Sequence, residues 1–206
     1  MKRKLLAMLF LAASLTMSAQ DAIQVNYQGA KPTIKDLGWA FLEYYVDEGE
    51  EDMVDESSRA IKLAWINQRD GVQLNEGETL TIDEKNGFVL YEWREEENSL
   101  RIEMCYWNES DGKHKLFAYN VSSFMNDSYS PGQFDGLVFY RYDNATKKMS
   151  FCDETGFEVE YGTDDGGWVS YALPRTGKDI IVTTWYKDRT VQRTLKWNGK
   201  TFSWVK

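Results

Sequence analysis

One histidine, two cysteines and 33 carboxylates are the inventory from which any reaction chemistry in this 206-residue chain must be built. Nucleophilic catalysis of the Ser-His-Asp or Cys-His kind needs an imidazole beside the nucleophile. The single imidazole is His114. It follows an Asp111-Gly112 turn, where a histidine reads as an exposed residue at a strand start rather than as a base. No G-x-S-x-G elbow is present, and neither G-x-G-x-x-G nor G-x-x-x-x-G-K-[ST] occurs. A zinc site needs several His or Cys ligands at close spacing, which this inventory does not supply. The sequence therefore assigns no catalytic residue, no metal ligand and no cofactor.

Carboxylates remain, because a glycosidase needs only two of them facing across a cleft. With 33 acids some pair always satisfies a loose search, so the pattern selects nothing. Asp164-Asp165 before Gly166-Gly167 reads as turn formation. The acidic run from Asp47 to Asp52 lacks the D-x-[DN]-x-[DN]-G loop of a calcium site, and reads as the solvated start of a helix.

The unusual feature is aromatic. Eight Trp, 12 Tyr and 10 Phe make up 15% of the chain. Flat rings on a sheet can stack on the apolar faces of sugars while nearby acids and amides take the hydroxyls. Trp93, Trp107, Trp185 and Tyr186 fall on strand-like segments and are the candidate ligand-binding residues. The competing reading is that they fill a β core, since aromatic residues have high strand propensity. In alternation terms Trp107 shares a face with Arg101 and Glu103, opposite Leu100 and Met104, which predicts an exposed ring.

The elements that would position these rings follow from periodicity. Pro32, Thr33 and Asp36 form a T-x-x-D helix start. Ile34, Leu37, Phe41, Tyr44 and Tyr45 then recur at helical spacing, although Gly38 inside the stripe costs about 1 kcal/mol relative to Ala. Met53, Val54, Ala60, Ile61, Ala64 and Trp65 extend the pattern to a stop at Arg69 and Gly71. From Thr79 the period becomes 2. About eleven strands are predicted, near 79–84, 88–95, 99–107, 114–121, 136–143, 147–153, 157–163, 168–173, 179–187, 190–197 and 201–205. Asn86-Gly87, Asp111-Gly112, Gly166-Gly167 and Asn198-Gly199 are the tight-turn dipeptides between them. Connections this short leave no room for crossover helices, so the strands must be antiparallel.

The predicted fold is α+β: an N-terminal helical pair (about 33–70) packed on an antiparallel β-meander (about 79–206), closing as a sandwich or small barrel. Residues 20–206 form one domain. Leu37, Phe41 and Tyr45 should cover one face or end of the sheet. A faint repeat aligns Gly87-Phe88-Val89-Leu90-Tyr91 with Gly167-Trp168-Val169-Ser170-Tyr171 at an offset of 80. It reads equally as a duplicated unit or as convergent strand patterning.

At the N-terminus, Lys2, Arg3 and Lys4 precede an apolar run from Leu5 to Leu15 and the mostly small residues Thr16 to Ala19. That is the layout of a secretory signal peptide over residues 1–19, and its apolar stretch is too short for the roughly 20 residues a membrane span needs. The expected product begins near Gln20 or Asp21, is periplasmic or extracellular, and is not inserted in a membrane. In such a compartment Cys105 and Cys152 could form a disulfide; two buried thiols are the alternative. The 33 acids against 24 basic residues argue against nucleic-acid binding, which draws on Lys and Arg.

Residues 174–202 contain P-R-T-G-K-D-I-I-V and then L-K-W-N-G-K-T-F, and the signal ends in M-S-A-Q. In these segments the chain resembles small uncharacterised exported proteins of Bacteroides-type gut bacteria. The resemblance implies an envelope or extracellular address and carries no activity or functional residues. The function expected is an exported, non-enzymatic binding or interaction module whose ligand is a glycan or another protein. The alternatives are a two-carboxylate hydrolase on a concave sheet face, and a protein inhibitor acting through the hairpin from Trp107 to Lys115.

Overall fold

The structure is a computed structural model that describes residues 22–48 and 56–205. Residues 1–21, with the expected signal peptide, the acids from Glu50 to Asp52, and Met53 and Val54 lie outside the described residues. Chain order runs β1 (Ile23–Gln24), α1 (Ile34–Glu43), a π-helical turn over Tyr44–Glu48, and α2 (Glu56–Asp70). Then come β2 (Glu78–Asp83), β3 (Phe88–Glu95), β4 (Asn98–Asn108), β5 (His114–Met125), β6 (Ser128–Tyr129), β7 (Gly136–Asp143) and β8 (Lys148–Phe151). The last four strands are β9 (Trp168–Ala172), β10 (Ile180–Trp185), β11 (Thr190–Trp197) and β12 (Phe202–Trp204).

Two antiparallel sheets result. The larger has the order β1-β8-β7-β5-β4-β3-β2, with β6 as a short hairpin partner of β5. The smaller has the order β12-β11-β10-β9. The fold is α+β, and the meander is real: most neighbours in each sheet are consecutive in the chain. The exception at the edge is β1, which returns from the N-terminus to pair Ile23 with Met149 on β8.

Period-2 alternation sorts the larger sheet into two apolar faces. Val89, Tyr91, Ile102, Met104, Phe117 and Tyr119 point to the helices, where they meet Ile34, Leu37, Phe41, Ile61 and Trp65. Phe88, Cys105, Trp107, Leu116, Ala118 and Phe139 point the other way, onto Val169, Tyr171, Ile180, Val182, Leu195 and Phe202 of the smaller sheet. The molecule thus has three layers, helices, large sheet and small sheet, around two cores.

The helical layer forms as the sequence requires. Asp36 accepts hydrogen bonds from the Thr33 amide at 2.7 Å and the Thr33 hydroxyl at 2.9 Å, which pins the first turn of α1. Leu37 and Phe41 are buried against the sheet, with the Phe41 ring 4.7 Å from that of Tyr119. Tyr45 packs at the rim, its hydroxyl 3.2 Å from that of Tyr140. Gly38 is explained by closeness: a methyl group there would lie 3.0 Å from Met104 Sδ and 3.2 Å from the Trp65 ring. The helix accepts the propensity cost so that it can sit tightly between α2 and β4.

Two expectations need correction, and two short strands were not foreseen. Residues 157–163 form no strand, despite the alternation of Phe157, Val159 and Tyr161. Phe157 and Val159 pack on the inter-sheet core, and the segment pairs only through a single bridge from Gly162 to Trp168. Its alternation follows from one greasy side lying across the open end of the sandwich, without a neighbouring strand to complete a ladder. The two-residue strands β1 and β6 are too short for any period to register. Finally, Trp107 is 4% exposed, not a surface ring. Its face carries polar residues, but the smaller sheet covers it.

Cys105 and Cys152 are free thiols buried in the same inter-sheet core. Among the described residues no helix is long and apolar enough to cross a membrane.

Candidate functional site

A cleft of about 810 Å³ opens where the helical layer, the large sheet and the first strand of the small sheet meet. Its floor comes from Tyr119 and Val121 of β5 and Val138 of β7. One wall is helical, with Phe41 and Tyr45 from α1 and its π-helical extension and Ser58 from α2. The other is Tyr129 of β6, the loop from Ser130 to Asp135, and the rings of Tyr161 and Trp168.

Each wall is held by identifiable contacts. The π turn inserts an extra residue after α1, a feature common at functional sites, and Tyr45 sits in it. Ser58 Oγ lies 2.9 Å from the Tyr119 hydroxyl, tying α2 to the floor. The loop is anchored by Asp135, whose carboxylate accepts from the Ser123 amide at 2.6 Å and the Ser123 hydroxyl at 2.7 Å. Burial pushes the Asp135 carboxyl up from its ordinary value, against the lowering effect of these bonds. Burial, then the nearby Asp135 charge and its bond to the phenol, raise Tyr129. Tyr161 packs closely against the backbone at Gly136, where a methyl group would come within 2.8 Å of its ring. A side chain at 136 would displace that ring.

The chemical character is consistent. Rings dominate the lining, and the hydroxyl-bearing side chains Tyr45, Ser58, Tyr119, Tyr129 and Ser130 line the same cleft as Asp135. No Lys, Arg or His is among the described residues that line it, and Asp135 is the one acid among them. Trp168 is 52% exposed and Tyr161 53%, so both large aromatic residues are open to solvent at the cleft.

The four rings singled out from sequence are scattered. Trp185 comes nearest: it pairs across the ladder with Trp168 and packs at 6.4 Å on Tyr129, backing the wall. Its indole donates to Ser170 Oγ. Trp93 lines an adjoining hollow of about 450 Å³ that shares Gln133, Phe134 and Asp135 with the cleft. Trp107 is buried against Trp197 and Phe202, its indole donating to the Lys178 carbonyl at 2.8 Å. Tyr186 is held at a hairpin end, under the Arg189 guanidinium and bonded to Asp165. Sequence reasoning missed Tyr129, Tyr161, Trp168 and Asp135. The one available signal was the Ser130-Pro131-Gly132 turn followed by a Phe and an Asp that belong to no period.

The hairpin from Trp107 to Lys115 is not a free projection, because Trp107 and Glu109 are buried and the Ser110 amide donates to the Gly199 carbonyl at 2.8 Å. Glu109, Asp111 and His114 cluster there with ligand atoms within 4.8 Å of one another. Each already has a partner. Arg141 donates to Glu109 at 2.8 Å, and His114 holds Asp111, pulling that carboxyl down to about 2. A guanidinium in the cluster disfavours a cation. Comparison of the chain with family models, with curated proteins and with solved structures finds no match.

Proposed function

We propose that the chain is an exported, non-enzymatic binding module whose aromatic cleft takes a neutral, hydroxyl-rich ligand, a glycan. The observation that carries this reading is the conjunction of exposed Trp168 and Tyr161 rings with several hydroxyls and one carboxylate, in a cleft lined by no described cation. Ring faces stack on the C–H faces of a sugar, and the hydroxyls and Asp135 can exchange hydrogen bonds with its OH groups. An anionic ligand would find no positive charge among the described lining residues. The basic n-region and apolar run of residues 2–15 support delivery outside the cytoplasm.

A hydrolase working through two facing acids would need a second carboxylate across from Asp135, and none stands among the described lining residues. Binding without bond cleavage is therefore the better-supported reading. The test is a glycan-array screen of the protein lacking residues 1–19, followed by titration of its tryptophan emission with any glycan retained. At least one glycan class should bind, remain intact, and change the emission, because Trp168 stands at the mouth. Flat responses across the array, or release of shortened sugars, would overturn the reading.

A further inference from the structure

A further hollow, of about 360 Å³, lies on the helix side of the large sheet beside the entry to α1. It shares no lining residue with the aromatic cleft, and its chemistry is opposite. Lys115 is 5% exposed there. A buried ammonium ordinarily has a carboxylate partner, yet no ion pair forms at Lys115 among the described residues. Its Nζ donates to Asn108 Oδ1 at 2.5 Å and lies 4.1 Å from the centre of the Tyr106 ring. Burial, and then repulsion from Lys31, bring this amine down to about 8.

The remaining charged groups around the hollow are already matched or also positive. Glu84 is engaged by Lys35 at 2.6 Å. His114 is held by Asp111 through one ring nitrogen, with Asp143 4.0 Å from the other. Lys31 stands exposed at the rim. Two lysines thus share one space in which the lining acid, Glu84, is engaged by Lys35 and neither lysine forms an ion pair among the described residues, and an ammonium has three donors, of which Asn108 takes one.

We propose that this hollow is a binding site for a small oxyanion, a carboxylate or phosphate group, held by Lys115 in its depth and Lys31 at its rim. A bound anion supplies the counter-charge that the fold leaves out, and the donor of Lys115 left by Asn108 and the Tyr106 ring supplies a direct hydrogen bond. Charge-assisted bonds of this kind contribute enough that losing one weakens binding roughly tenfold or more.

The experiment is thermal unfolding of the wild type, K115M and K31M in inorganic phosphate, in acetate, and in sodium chloride at matched ionic strength. A ligand that binds only the folded chain raises Tm with its concentration. The wild type should gain Tm in phosphate or acetate beyond the chloride control, and K115M should show at least about a tenfold weaker apparent affinity. K31M, altered at an exposed position, should fold and weaken the response even if K115M does not fold. A response to phosphate alone identifies a phosphate group, and a response to acetate alone a carboxylate. No oxyanion effect in the wild type, or an undiminished effect in both variants, overturns the proposal.

Discussion

Glu103 shows what covering a polar sheet face does to a single residue. It is 5% exposed, accepts from the Leu173 amide and the Asn120 side chain at 3.2 Å each, and sits where the free edge of β9 meets the large sheet. Asn120 donates in addition to the Tyr171 carbonyl at 2.9 Å, so the two side chains satisfy that edge. Burial pushes the Glu103 carboxyl up to about 7. The folded chain then keeps a proton that the unfolded chain releases near its ordinary value of 4.5. Stability from this group is greatest below that pH and is lost as pH rises toward 7, by roughly 3 kcal/mol in all. Urea unfolding of wild type and E103Q at pH 5 and pH 8 should show the wild type losing about that much relative to the variant; a pH-independent difference would refute it. Alternation alone correctly placed Glu103 and Trp107 on one face. It could not say that a second sheet, more than 60 residues downstream in the chain, would bury that face.

At the scale of elements, α1 depends on being thin where it crosses the sheet. Gly38 has Met104 Sδ and the Trp65 ring within 3.0–3.2 Å of where a side chain would begin. Gly38→Val should cost about 1–3 kcal/mol through overpacking, read as a lower urea midpoint at unchanged slope; an unchanged midpoint would show that the helix can shift away. The stripe of α1, the T-x-x-D start and most strands were legible because each is a local pattern of period 3.6 or 2. Residues 157–163 misled for the same reason. Their apolar positions alternate like a strand, but forming one depends on a partner, and that is a tertiary fact. The loop from Ser130 to Asp135 carries no period at all, and so the cleft wall that it builds was invisible. Tyr161 and Trp168 joined it only through the fold.

For the whole molecule, the offset-80 repeat has a structural counterpart of limited extent. Phe88 pairs with Cys105 and Trp168 with Trp185; Tyr91 pairs with Ile102 and Tyr171 with Val182. The two hairpins therefore share a register at the spacing seen in sequence, while the strands that follow them diverge. One hairpin lies in each sheet, and the cleft opens where the start of β9 approaches the end of β5 and the loop after β6. Exposed rings elsewhere, such as Trp204 beside Arg193, lie outside that junction and provide an internal control. Titration of a retained glycan into wild type, W168A and W204A, by calorimetry so that loss of a fluorophore does not matter, is the decisive comparison. Binding should weaken about fivefold or more in W168A, the worth of one stacked ring, and stay unchanged in W204A. Equal affinity for wild type and W168A would contradict the account.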